Sequence, residues 1–465
     1  MRRAAPAPAM RAAHQQDPRS RAPVNRQSVY QEPYRQEPYR GRQPQAQRAA
    51  YQHTARTMYQ EDIAPGTVVE SQTGQGPMTS GPVTEQWMDG GPFEYGDGGY
   101  GGECYDGCCD DCCGCGPVPG FWGRAEYLYW WVRGAETPPL VTTSPDGTPP
   151  LQAGVLPDAT ILFGNERVNT SGRSGARFTL GYWFNSCDLT GIETSFFYLG
   201  KVNQQYFNDS SDILARPFIN VNTGDQDSHL ITYPDIIDGS INVSANSRVY
   251  GGDVNLRRSL VADCWKRIDV LAGYRYFRIA EGLSVTSDST VIDEGGQPPT
   301  GTTFNVFDSF NTRNDFNGGQ LGVNAQMMNG CWTLDLLAKL AIGGVSQYVT
   351  IDGRTITTLP DGQQTDRSGG ILALPSNSGP HNRSVFSVLP EFSADLRYQI
   401  TPLWKLNLGY TLMFVTNVAR PGDQINLNID PDQFPPNQGG TQPTFSFVDS
   451  DVWLQGISFG VECNF

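Results

Sequence analysis

The sequence contains no apolar run approaching the roughly 18 residues that a membrane-spanning helix needs, and its mean hydropathy is −0.41. A helical membrane protein is thereby excluded. Histidine is scarce: only His14, His53, His229 and His381 occur, so the side chain most often used as a general base is nearly missing. No GxSxG, Walker-type or HExxH pattern appears, which removes the commonest hydrolase, nucleotide-binding and zinc-protease signatures. Charge makes up 17% of residues, with 33 Lys and Arg against 48 Asp and Glu. A folded basic patch for nucleic acid has little to draw on, and no such partner is expected. The opening "MRRAAPAPAMRAAHQQ" begins with charge but lacks the apolar stretch of a complete signal peptide.

What is present points to strands. The chain has 465 residues, 52 of them Gly, and 11% are aromatic. That mixture fits an all-β protein with long loops. A transmembrane β-barrel is the case that hydropathy averages conceal, because only alternate residues meet lipid.

Residues 1–103 show neither helical nor strand period and are rich in Arg, Gln, Pro and Gly, including the tandem "QEPYRQEPYR" at Gln31–Arg40. Such a segment cannot bury enough apolar area to offset its ordering entropy, so a disordered arm is expected. Its first 65 residues carry eleven Arg against five acids, which leaves the remainder near −21 when the whole chain is −15. A solvated tether is the plainer reading of the arm; contact with an anionic polymer or lipid surface is the other.

At 104–116 stands "CYDGCCDDCCGCG", with Cys104, Cys108, Cys109, Cys112, Cys113 and Cys115. The spacing invites a zinc reading, yet the distant second CxxC that usually completes such a site is missing. Disulfides, within the chain or to another envelope protein, are the favoured reading in an oxidising compartment.

From 119 to 465 the period is two. "FWGRAEYLYWW" sets Ala125, Tyr127, Tyr129 and Trp131 opposite Arg124 and Glu126. The pattern recurs, with polar faces carrying Arg177, Glu193, Asp253, Arg257, Asp269, Arg275, Asp335, Lys339, Glu391, Asp395, Arg397, Lys405 and Glu462. Ten strands of about nine to eleven residues each are predicted, with twelve the alternative. Short gaps near Cys187, Cys264, Cys331 and Thr401 alternate with long ones at about 134–174, 201–246, 288–313, 352–383 and 417–449. Short turns at one rim and long loops at the other mark an outer-membrane barrel, closed and antiparallel, with tight periplasmic turns and extended extracellular loops. Because a lipid-soaked edge cannot leave backbone donors unpaired, the last strand must pair with the first. "ISFGVECNF" ends the chain in such a strand, and Phe465 resembles the terminal signal read by the barrel assembly machinery.

"FWGRAEYLYWWVRG", then "TPPLVTTSP" at Thr137–Pro145 and "RSGARFTLGYWF", resembles the putative beta-barrel porin-7 family of planctomycete-type outer-membrane proteins. The resemblance begins near Phe121 and runs, more loosely, to Phe465. It implies a porin and carries over no catalytic, metal or cofactor residue; no cofactor is expected.

Three functions follow as expectations. The first is passive diffusion of small solutes or ions, with cation preference from the acidic loops. The second is a structural anchor in the outer-membrane lipid, its arm in the periplasm. There Cys187, Cys264, Cys331 and Cys463 lie on the same rim as the six-cysteine cluster and form a disulfide collar, within the chain or to envelope proteins. The third, a hydrolase at the loop rim, would need His229 or His381 as base. In the lumen the mixed charges have a structural reading, an ion-pair network, beside a selective one.

Overall fold

The computed structural model describes residues 120–184, 190–210, 212–263, 265–295, 297–434 and 439–465. The N-terminal arm, the cysteine cluster at 104–116, Cys187 and Cys264 lie outside the described residues.

Ten strands form one antiparallel ring: β1 (Gly120–Val132), β2 (Arg173–Trp183), β3 (Thr190–Asn208), β4 (Ile237–Ala262), β5 (Lys266–Val291), β6 (Thr303–Asn329), β7 (Trp332–Thr358), β8 (Gly379–Gln399), β9 (Trp404–Ala419) and β10 (Asp449–Asn464). Each pairs with its sequence neighbours, and β10 returns to β1 from Trp122↔Asn464 to Val132↔Leu454. The Phe465 amide donates to the Phe121 carbonyl at 2.8 Å, so the final residue completes the ring. No ring strand is left with an unpaired edge, which is the condition for a sheet in hydrocarbon.

Alternation sets the two faces. Along β7, Trp332, Leu334, Leu336, Leu340 and Ile342 are exposed outward, while Asp335, Lys339 and Ala341 are buried inside. The same parity places Phe178 and Leu180 of β2, Phe392 and Leu396 of β8, and Ile457 and Phe459 of β10 on the outer face. Trp265, Trp332 and Trp404 stand exposed beside the short turns, as an interfacial girdle would.

Strand length departs from expectation. β4 to β7 run 26, 26, 27 and 27 residues, more than twice the nine to eleven predicted. Much of the sequence expected to be flexible loop at 201–246, 288–313 and 352–383 is therefore continuous ladder. The physical reason is an inversion of polarity at constant register. Near the short turns β4 shows Val254 and Leu256 outside and Asp253 and Arg257 inside; further along, Asn242 and Arg248 face outward while Ile241, Val243 and Ala245 are buried inward. Small polar residues outside read as loop, although the pairing never breaks.

Loop segments fold back onto this raised wall. Strand Val141–Thr143 pairs with Thr160–Phe163 and with Leu214–Asn220, which pairs in turn with Gln226–Thr232 and Asn428–Ile429. Leu140, Val141, Phe163, Leu214, Phe218, Ile371, Leu372 and Ile429 from the loops share one apolar core with Ile241, Val243, Leu283, Val285, Val306, Phe310, Val349 and Ile351 of the wall.

Candidate functional site in the ring interior

The fifteen charged positions expected to line the lumen lie on inward-facing positions of nine different strands. Fourteen are in ion pairs. Arg124, Lys405 and Arg397 converge on Glu462 at 3.0, 3.2 and 3.5 Å. Arg177 holds Glu126 with two donors at 2.5 and 2.8 Å, and Asn407 donates to the same carboxylate at 2.8 Å. Arg257 bridges Glu193 at 2.9 Å and Asp269 at 2.6 Å. Arg275 lies between Asp253 at 2.8 Å and Glu391 at 2.6 Å, while Lys339 reaches Asp253 at 3.3 Å and Glu193 at 3.9 Å. Arg397 also meets Asp335. The fifteenth, Asp395, accepts from the Ser393 hydroxyl at 3.3 Å.

Arg267 escaped the sequence reading. It donates to Asp269 at 2.8 Å and stacks over Trp183 at 4.2 Å. Its place on the parity of Asp269 and Arg275 was the available signal. With it, eight acids face eight bases, so the formal charges of the layer balance in total, while the cations gather toward the short-turn rim. The space left among these groups is a cavity of about 50 Å³, enough for a few waters.

A second layer was not anticipated. Beyond the charges, the inward face turns apolar: Leu128 and Trp130 of β1, Phe197 and Leu199 of β3, Phe277 of β5, Phe316 of β6, Met413 of β9 and Leu454 of β10 belong to one buried cluster. Nine of the ten strands contribute to it. The exception is β2, where Gly175 faces inward; a Cβ there would lie 2.9 Å from the Leu199 side chain, so glycine makes room for Leu199. Gly456 does the same for Trp130, whose Cδ1 would be 2.5 Å from a Cβ. Trp130 packs on Phe197, and Phe197 on Phe277, at centroid distances of 5.4 and 6.4 Å, within the range of favourable ring pairs. The string "EYLYWWV" carried the clue, because both of its parities are apolar.

Two buried ion pairs tie the loops above this layer. Arg216 and Asp308, both fully buried, pair at 2.5 Å. The Asp308 Oδ1 also accepts from the amides of Leu372 and Ala373 at 3.0 and 2.7 Å, which fixes the 371–374 turn against β6. Arg420 holds Glu281 at 2.7 Å and donates to the carbonyls of Arg133 and Gly134, both at 2.8 Å. His229 lies opposite Arg216 in the loop sheet and against Phe434. Burial, reinforced by Arg216, pushes its imidazole down to about 4, so it is neutral at physiological pH. His381 stacks on Phe445 at 3.7 Å, with a ring nitrogen 3.1 Å from the Asn377 carbonyl.

A profile of the family described as Putative beta barrel porin-7 matches residues 122–465. The chain belongs to that family. It is thus an outer-membrane-type β-barrel, and the ten-stranded ring is the barrel wall. Among solved structures, the crystal structure of outer membrane protease OmpT from Escherichia coli shares 10% identity at a TM-score of 0.38, covering 74% of this chain and 97% of that one. The TodX deltaS2S3 mutant monoaromatic hydrocarbon channel shares 9% at 0.19, covering 75% and 91%. Likeness at that level says nothing of what this barrel does. No curated protein matches the chain.

Of the cysteines expected in a collar, two are described in this porin-7 family barrel. Cys331 lies in the short turn between β6 and β7. Cys463 is a correction: it is a free, buried thiol. It stands at the short-turn end of the ring, opposite Gly123 of β1 and Trp404 of β9, with its side chain buried.

Proposed function

We propose that this barrel sits in the bacterial outer membrane, with its short turns and N-terminal arm in the periplasm. In its ground state it is closed to passive diffusion, and it serves as an anchor of the cell envelope. One observation supports the closed reading above others: an apolar layer drawn from nine of ten strands crosses the interior. An ion entering that layer loses its hydration among Leu, Val, Phe and Trp side chains, at a cost of several kcal/mol. The buried polar groups at its level are engaged, Arg173 with the Ser247 hydroxyl and Ser387 with the Thr416 carbonyl. Phe465, at the end of the closing strand, acts as the assembly signal for the barrel assembly machinery, and the outer aromatic belt meets lipid.

An open porin is the second reading, favoured by the family's description; its cation preference would come from the acidic loops, since the interior charges balance. Liposome swelling separates the two. Vesicles carrying the refolded chain should swell in a small sugar no faster than empty vesicles, and rapid swelling would establish the porin instead. The anchor rests on the cysteine cluster at 104–116: extraction of native envelopes without reductant should give an adduct that reductant releases. A chain that migrates alone under both conditions would overturn it. Catalysis at His229 or His381 has no observation in its favour, since both rings are engaged in packing.

A further inference from the structure

At the short-turn rim the interior opens into a cavity of about 500 Å³, the size of a site for a small organic ligand. Arg124, Arg257, Arg267, Arg397 and Lys405 line it, and Glu462 and Asp263 are the acids among its lining residues. The carboxylates behind these cations are shared. Glu462 serves three of them, at 3.0 to 3.5 Å, and Asp269 serves both Arg257 and Arg267. Guanidinium donors therefore outnumber the acceptors that reach them. Two are left over: Arg397 Nε and Arg267 Nη2 are buried and have no hydrogen-bond partner among the described residues. Five cations against two acids on the cavity wall leave an entering oxyanion with charge-assisted partners and little repulsion.

The aromatic walls prepare these donors for a planar acceptor. The Arg267 guanidinium lies 4.2 Å above the Trp183 ring and Arg257 lies 5.4 Å from the same ring, while Arg124 approaches Trp122 at 6.0 Å. Stacking fixes the plane of a guanidinium. Arg257 commits its edge to Asp269, Glu193 and Asn324, so Arg267 and Lys405 are the cations best placed to meet an entering anion. Phe121 and Phe465 supply an apolar margin.

We propose that this vestibule binds an oxyanion group, carboxylate or phosphate, carried on a ligand of about dipeptide or sugar-phosphate size. Binding needs no passage through the barrel, because the vestibule is on the near side of the ion-pair layer. The inference uses the membrane reading only for the side of arrival, the periplasm.

The test is calorimetric titration of the full refolded chain in neutral detergent at low ionic strength, with citrate as the carboxylate probe, glucose 6-phosphate as the phosphate probe and glucose as the neutral control. At least one anion should bind with a Kd below about 1 mM, more weakly as salt is added, and glucose should not. The stronger of the two identifies the source of the oxyanion. Arg267→Gln and Lys405→Gln should each weaken binding by about tenfold, Arg267→Lys should recover part of the loss, and Arg354→Gln, at an exposed pair on the other rim, should change nothing. Heat-modifiable gel migration confirms that each variant is folded, and Lys405→Gln stands alone if Arg267→Gln does not fold. No binding by either anion below about 10 mM, or unchanged binding in the folded variants, overturns the proposal. The titration reads neither swelling nor adducts, so its failure leaves the closed-barrel reading intact, and a conducting barrel that binds anions would overturn only the latter.

Discussion

Replacing Arg275 with leucine removes the cation between Asp253 and Glu391 and should destabilise the barrel by about 3–5 kcal/mol, the usual cost of breaking a buried pair from one side. The two acids are affected unequally. Asp253 keeps Lys339 at 3.3 Å and the Asn255 amide at 2.6 Å. Glu391 loses the single ion pair it makes among the described residues. Most of the cost should therefore come from Glu391, and adding Glu391→Leu to Arg275→Leu should restore about 2 kcal/mol or more, since an apolar pair of similar volume tolerates the interior better than one unpaired carboxylate. Urea unfolding in lipid vesicles, followed by tryptophan fluorescence, measures all four corners of the cycle. A single variant within about 1 kcal/mol of the parent, or a double variant less stable than Arg275→Leu, would refute the view that these charges hold the wall by pairing.

Gly456→Val should cost about 1–3 kcal/mol by the same assay, because its side chain collides with Trp130, whereas Gly319→Ala, with open space around its Cβ, should stay within about 0.5 kcal/mol. For His229 the sign follows from its depressed pKa of about 4: below about 6.5 the unfolded loop takes up a proton that the folded loop refuses until about 4. The loop sheet should lose stability as pH falls through that window, seen as rising proteolysis within 212–236, and His229→Gln should flatten the slope. Iodoacetamide applied to denatured, unreduced protein should modify Cys463 and, as the disulfide collar predicts, spare Cys331 until reductant is added.

The wall was legible because lipid imposes a strict rule on every second residue. Ten alternating stretches, with short gaps at one rim, became ten paired strands, and "ISFGVECNF" reached back to β1 as closure requires. The upper halves of β4 to β7 were hidden by the same rule ceasing to apply. Outside hydrocarbon, Asn242 and Arg248 can face water while Ile241 and Val243 turn inward, and a pattern that reverses polarity looks like loop to a reader expecting one kind of alternation. The interior was half legible. Charges such as Arg177 and Glu126 stand out among apolar neighbours, but which charge meets which was hidden: those two lie opposite each other 51 residues apart, whereas Arg124 and Glu462 meet across 338 residues through ring closure. Leu128, Trp130, Phe197 and Leu199 did not stand out, because an apolar residue beside apolar neighbours gives no hint of which face it occupies.

Planar-bilayer recording of the refolded full chain tests the sealed interior most directly. The layered packing of Trp130, Phe197, Phe277 and their neighbours predicts a flat baseline at moderate voltage. Stable, uniform, ohmic steps from the unmodified protein would contradict it and establish an open pore.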